Sequence, residues 1–204
     1  MKSNSYLDSL TRIAWAYLFL FLNLSANSRT VSVNLFPDWI GWLLIFQALP
    51  AIEKEERTAA LLRPVVVLLG IFDAVNWTAS LFTGKTLSLP LLQLIASVLT
   101  LYFHFQFLTD LASVASAHGL PRFSARLLHM RTAATLCSAV LSVLYYIGSL
   151  DALSGILLFF LIGVSLILAV WFPVSLFSFR NEERRRMFYR SSDAGQPNRE
   201  TDPR

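Results

Sequence analysis

The stretch 61-LLRPVVVLLGIFDAVNWTASLF-82 is a single apolar run in which only Arg63 and Asp73 carry charge. A helix rises about 1.5 Å per residue, so a run of this length spans about 30 Å, the thickness of a bilayer's hydrocarbon core. In lipid every backbone N–H and C=O must find a partner within the segment or within a closed barrel. The run does not alternate in hydropathy and is about twice as long as a barrel strand, so it reads as a transmembrane helix. Arg63 lies near one end, where its head can reach the interface. Asp73 lies near the middle, where an ionisable group is costly.

Five further windows read in the same way: residues 11–26, 31–52, 87–108, 132–150 and 152–179. The whole chain has 204 residues, 55% of them hydrophobic and 15% charged, with mean hydropathy +0.55. A soluble domain carries about a quarter charged residues. The expectation is an all-α, polytopic membrane bundle of about six transmembrane helices, over 8–27, 34–53, 60–83, 87–117, 124–149 and 152–178, forming one domain at 1–179. The first window resembles a signal peptide in length, but Asp8 precedes it and no A-x-A-like site follows, so it is read as a retained anchor. The connections 27-NSRT-30, 83-TGKT-86 and 148-GSLD-151 are short, which pairs the helices into three tight antiparallel hairpins. Between helices four and five, Gly119 ahead of Pro121 reads as a helix cap and Ser124 as the next N-cap.

The basic residues set the expected orientation. Lys2, Arg12, Lys54, Arg57, Arg63, Arg122, Arg126, Arg131 and seven tail arginines fall on one side, against only Arg29 and Lys85 on the other, which is fifteen against two. Positive charge concentrates on the cytoplasmic side, so both termini are expected there. The net charge of +4 therefore reflects threading and implies no nucleic-acid partner. Its densest part, 180-RNEERRRMFYR-190, follows the last helix, and Arg180, Arg184, Arg185, Arg186 and Arg190 are expected to meet anionic lipid headgroups. Residues 191–204 lack apolar periodicity and are expected to be disordered. The bilayer is the expected partner, with a second copy or another membrane protein left open.

Polar residues inside the apolar windows are the candidates for function. Asp73 and Asn76 share a face of helix three, with Trp77 beside them. Gln93, Ser97, Thr100 and His104 are spaced four, three and four apart and form a stripe on helix four. Counting inward from the short loop puts Asp73 level with Ser97 and Thr100, with His104 about 9 Å deeper. No lysine or arginine reaches that depth. Two readings follow: a proton- or cation-binding carboxyl in a polar seam, or a neutral carboxyl bonded to Asn76, Ser97 or Thr100 that joins the two helices. On helix five, Thr135, Ser138 and Ser142 share a face and read as a close-packing stripe. Helix six has no ionisable residue between 156 and 172 and is expected at the periphery.

Cys137 is the sole cysteine, and His104, His118 and His129 have no ligand spacing, so no metal or cofactor is expected. There is no G-x-S-x-G, P-loop or H-E-x-x-H pattern. The expected function is non-enzymatic, with a structural, sensory or regulatory role in a membrane. The alternative is a small proton-linked transporter or channel that uses Asp73.

The stretch 34-NLFPDWIGWLLI-45 opens the second helix. Pro37 suits a first turn, Asp38 meets the positive end of the helix dipole, Trp39 and Trp42 suit the interfacial aromatic belt, and Gly41 permits a close helix contact. With Asn34 these form a helix-start motif. The stretch resembles the [DN]-L-L-P-D-F-I-G-Y-L-L-I motif of uncharacterised small multi-pass membrane proteins of Gram-positive bacteria. It departs at Phe36 and in having tryptophan at Trp39 and Trp42. The resemblance extends over 13–77, implies a bacterial cytoplasmic membrane, and implies no activity.

Overall fold

A computed structural model describes residues 2–21, 25–27, 32–34, 37–84, 89–147 and 155–194. Among them are six helices: α1 (Lys2–Phe21), α2 (Asp38–Ile52), α3 (Leu62–Thr83), α4 (Pro90–Ala117), α5 (Pro121–Ile147) and α6 (Gly155–Ala194). Strands β1 (Ser25–Asn27) and β2 (Ser32–Asn34) form a small antiparallel pair between α1 and α2, with Ala26 opposite Val33. A 3-10 turn, Arg57–Leu61, leads into α3. The fold is all-α apart from this pair.

The helix ends differ from the sequence expectation most at α1, α2, α5 and α6. Helix α1 begins at Lys2 and stops at Phe21, and Ser25–Asn27, expected to end the first helix, pairs instead with the β-branched Ser32–Asn34 as a strand. Helix α2 starts at Asp38, with Pro37 in the N-cap position at φ −79°, ψ 92°. Helix α5 starts at Pro121, three residues before Ser124, since proline is pre-set for a first turn and lacks the N–H that would go unpaired there. Helix α6 runs to Ala194, about 60 Å in all, so 191–194, expected to be disordered, are helical. The remaining tail lies outside the described residues.

Two chain stops rely on glycine. Gly84 at φ 66° caps α3, and Gly119 at φ 73° follows α4. At the second stop Leu120 N donates to Ala115 O at 2.9 Å and Gly119 N to Ser116 O at 2.9 Å, the paired pattern that closes a helix through a left-handed residue.

The helices form a ring: α1 lies against α2 and α6, α2 against α3, α4 against α3 and α5, and α5 against α6. Gly41 explains the close approach of α1 and α2. A Cβ there would lie 2.7 Å from Leu20 Cγ and 2.9 Å from the Ala16 carbonyl oxygen. The densest packing includes Leu10, Ile13, Tyr17, Ile45, Leu49, Phe103, Phe107, Phe172 and Phe179, all almost fully buried. Helix α6 supplies two of these, so its expected peripheral place is corrected: Phe172, Leu176 and Phe179 are core residues. The three hairpins expected from the sequence, α1–α2, α3–α4 and α5–α6, are each in contact, the first most extensively. Helices α3 and α4 touch less extensively than α4 and α5, and α5 and α6 less again.

Among the described residues two helical stretches, Arg57–Thr83 and Pro90–Ala117, are long and apolar enough to cross a membrane. Only 22% and 17% of their most apolar windows are buried within the protein. Leu68, Ile71 and Val75 on α3 and Ile95, Val98 and Tyr102 on α4 are exposed, as are Phe82 at 86% and Leu91 at 70%. Contiguous apolar surface on this scale is uncommon in a water-soluble monomer.

Candidate functional site

On α4, the side chains at 93, 97, 100 and 104 fall on one face and those at 95, 98 and 102 on the opposite, exposed apolar face. The polar face borders an open cleft of about 430 Å³. Asp73 and Phe72 of α3 line it, as do Gln93, Ala96, Ser97, Thr100, Leu101 and His104 of α4, and Ser138, Leu141 and Ser142 of α5. The looser α3–α4 contact follows from this space. Five of the six residues proposed from the sequence thus share one cleft; Asn76, half-buried on α3, is not among its lining residues. The α5 hydroxyls at 138 and 142, read as a packing stripe, border open space instead. Their four-residue spacing was visible in the sequence, but nothing there showed which neighbour they faced.

The two ionisable residues of the cleft are each tied to a helix outside it. Trp42 Nε1 on α2 donates to Asp73 Oδ2 at 2.6 Å. The sequence points Asp73 at Ser97, Thr100 or Asn76 and does not foresee this bond to α2. Ser97 Oγ donates instead to the Gln93 carbonyl on its own helix, at 2.8 Å. The structure corrects Trp42, which is 3% exposed and sits edge-on to Phe103 with centroids 5.1 Å apart, so it is a core residue and not part of an interfacial belt. Its partner Trp39 meets Trp77 edge-on at 6.2 Å. Asp38 lies in the first turn of α2, and the side chain of Asn34 lies outside the described residues.

His104 is linked to α1: its Nδ1 and the Tyr17 hydroxyl are hydrogen-bonded at 3.2 Å. Tyr17 is held by an aromatic cluster, with Phe172 of α6 at 4.4 Å and Phe107 at 6.2 Å between centroids. The cleft therefore faces a rigid aromatic wall through two polar bonds.

A second polar layer lies at the end of the bundle where α2 and α4 finish. His118, just past α4, places Nδ1 2.6 Å from Glu183 Oε1 on α6 and Nε2 3.4 Å from Glu55 Oε2 after α2. Tyr6 of α1 packs edge-on to its ring at 5.5 Å. Arg186 Nη1 donates to the His118 carbonyl at 3.0 Å, so this arginine caps α4, whereas the sequence pointed it only at lipid headgroups. Arg184 and Arg185 are exposed, Arg180 donates to Asn181 Oδ1 at 3.3 Å, and the side chain of Arg190 lies outside the described residues. Beside this layer Ser113 Oγ donates to Glu56 Oε2 at 2.7 Å, and Thr58 Oγ1 and Gln106 Nε2 both donate to buried Asp110 Oδ1 at 2.8 Å. The Ser113 bond is the largest influence holding the Glu56 carboxyl below its ordinary range. Sequence reading missed this layer because its members are far apart in the chain and each looks like an ordinary cytoplasmic charge.

Among the described residues no group of histidines, cysteines and carboxylates has the arrangement of a metal site. No protein family, curated protein or solved structure matches the chain.

Proposed function

We propose that this chain is a small integral protein of a bacterial cytoplasmic membrane that crosses it six times, with both termini cytoplasmic. Its role is non-enzymatic, sensory or regulatory, exercised by holding a small solute in the cleft between α3, α4 and α5. The observation that supports the reading is that cleft. It gathers a carboxylate, an imidazole, an amide and four hydroxyls at the level of two membrane-length apolar helices. Polar groups in that setting are costly to bury without a task, and pockets of a few hundred cubic ångströms with convergent polar groups suit small ligands. Attachment of Asp73 to α2 and His104 to α1 supplies a route from an occupied cleft to the rest of the bundle. The fifteen-to-two distribution of basic residues supports the orientation.

A second reading is favoured by the pairing of Asp73 and His104 in one cleft: a proton-linked transporter or channel in which these groups carry the proton. Liposomes with an internal pH dye separate the two. The sensory reading expects no proton flux above that of empty vesicles, with or without added solutes, in wild type and Asp73→Asn alike. Substantial flux abolished by Asp73→Asn would replace it with the transporter.

A further inference from the structure

Among the described residues, Asp73 is the one acidic side chain lining the cleft, and no lysine or arginine lines it. Its Oδ2 is met by the Trp42 indole N–H, a neutral donor that carries no countercharge. Around it Ser97, Thr100, Ser138 and Ser142 present oxygens that can accept hydrogen bonds, and Phe72 and Leu101 form an apolar wall. The space, about 430 Å³, far exceeds what a bare ion fills and suits a molecule with on the order of ten non-hydrogen atoms.

We infer that the cleft takes a small amphipathic organic cation, whose ammonium group binds Asp73 in place of the Trp42 N–H and whose apolar body lies on Phe72 and Leu101. The inference rests on the cleft being a solute site, as proposed above, and adds the chemical class of the solute. A carboxylate in a low-dielectric cleft favours an ammonium over a neutral isostere, because charge-assisted bonds are about twice as strong as neutral ones. The hydroxyls of α4 and α5 take the remaining ammonium protons, and the face of Phe72 adds a cation–π contact. Exchange of the Asp73 partner couples binding to α2, since Trp42 loses its acceptor when the cation arrives.

Three probes of one shape and different charge test this on the full chain in nanodiscs, with empty nanodiscs as the partition control: phenethylammonium, 2-phenylethanol and phenylacetate. Binding is read by tryptophan emission and by the rise in melting temperature. The expected result is saturable binding of phenethylammonium at least roughly tenfold tighter than 2-phenylethanol, and none of phenylacetate. Asp73→Asn keeps an acceptor for Trp42 and so keeps the fold, and its preference for the ammonium over the alcohol should vanish. Trp42→Phe releases Asp73 from its indole and should tighten phenethylammonium binding; unchanged affinity would overturn the partner exchange. Equal binding of ammonium and alcohol, lost together in Ser138→Phe, would overturn the cation class while leaving the solute cleft standing. No saturable binding of any probe would overturn both.

Discussion

Trp42 and Asp73, thirty-one positions apart, meet through a 2.6 Å hydrogen bond that joins α2 to α3 beside the cleft. Replacing Asp73 separates charge from bonding. Asparagine keeps an acceptor for the indole, so Asp73→Asn should melt close to wild type in detergent. Leucine leaves a buried donor unpaired, and Asp73→Leu should cost about 1–3 kcal/mol. Chemical denaturation of the two variants checks this, and equal losses would show that the bond contributes nothing.

At Gly41 helix α2 lies close against Ala16 and Leu20 of α1. Gly41→Ala places a Cβ within 2.9 Å of the Ala16 carbonyl oxygen, a backbone atom that cannot rotate away. The helices must separate, at a cost of roughly 1–3 kcal/mol. Gly70, whose Cβ would clear its nearest neighbour, Trp42 Cβ, by 3.3 Å, should tolerate alanine better. Melting temperatures of the two alanine variants give the comparison.

His118 ties Glu55, Glu183 and Tyr6 together just past the end of α4, with Glu183 nearly fully buried. His118→Ala leaves the Glu183 carboxylate without this partner and should destabilise the protein by roughly 1.5–3 kcal/mol. The exposed Arg185→Ala should change stability by less than about 0.5 kcal/mol. Limited proteolysis near α6 should rise in the first variant and not in the second.

Glu56 gives a pH signature. Its carboxyl is lowered chiefly by the Ser113 hydrogen bond, so the native state holds the charged form more readily than the unfolded chain. That contribution is present above the unfolded carboxyl's titration and fades as pH falls through the lowered native value. Ser113→Ala should therefore melt below wild type at neutral pH, and the gap should close in acid. A gap independent of pH would place the effect elsewhere.

Of the six apolar windows, those on α3 and α4 were plainest in the sequence and are long and apolar enough to cross a membrane, and the all-α class followed from helical runs of that length. The α4 stripe was readable because four residues at helical spacing fix a face whatever the tertiary packing. The partner of Asp73 was not readable. Counting from the start of α2 and the end of α3 puts Trp42 about 6 Å inside α2 and Asp73 about 15 Å inside α3. Strand β2 lies against α3, so α2 begins lower than α3 ends, and the two levels meet. The need of a buried indole for an acceptor becomes a clue only once the structure shows Trp42 buried. The core role of α6 was hidden for a similar reason: an apolar helix without polar marks looks the same facing lipid or facing Tyr17.

The account depends most on a polar, water-reached cleft at the depth of apolar helices, and cysteine accessibility in liposomes tests it directly. In a Cys137→Ala background, Ser97→Cys, Thr100→Cys and Ser142→Cys would be exposed to a charged, membrane-impermeant thiol reagent, with Ile95→Cys and Val98→Cys as controls on the opposite face of α4. The account predicts labelling at 97, 100 and 142, slowed by phenethylammonium, and none at 95 and 98. Equal labelling on both faces, or none at the three cleft positions, would contradict it.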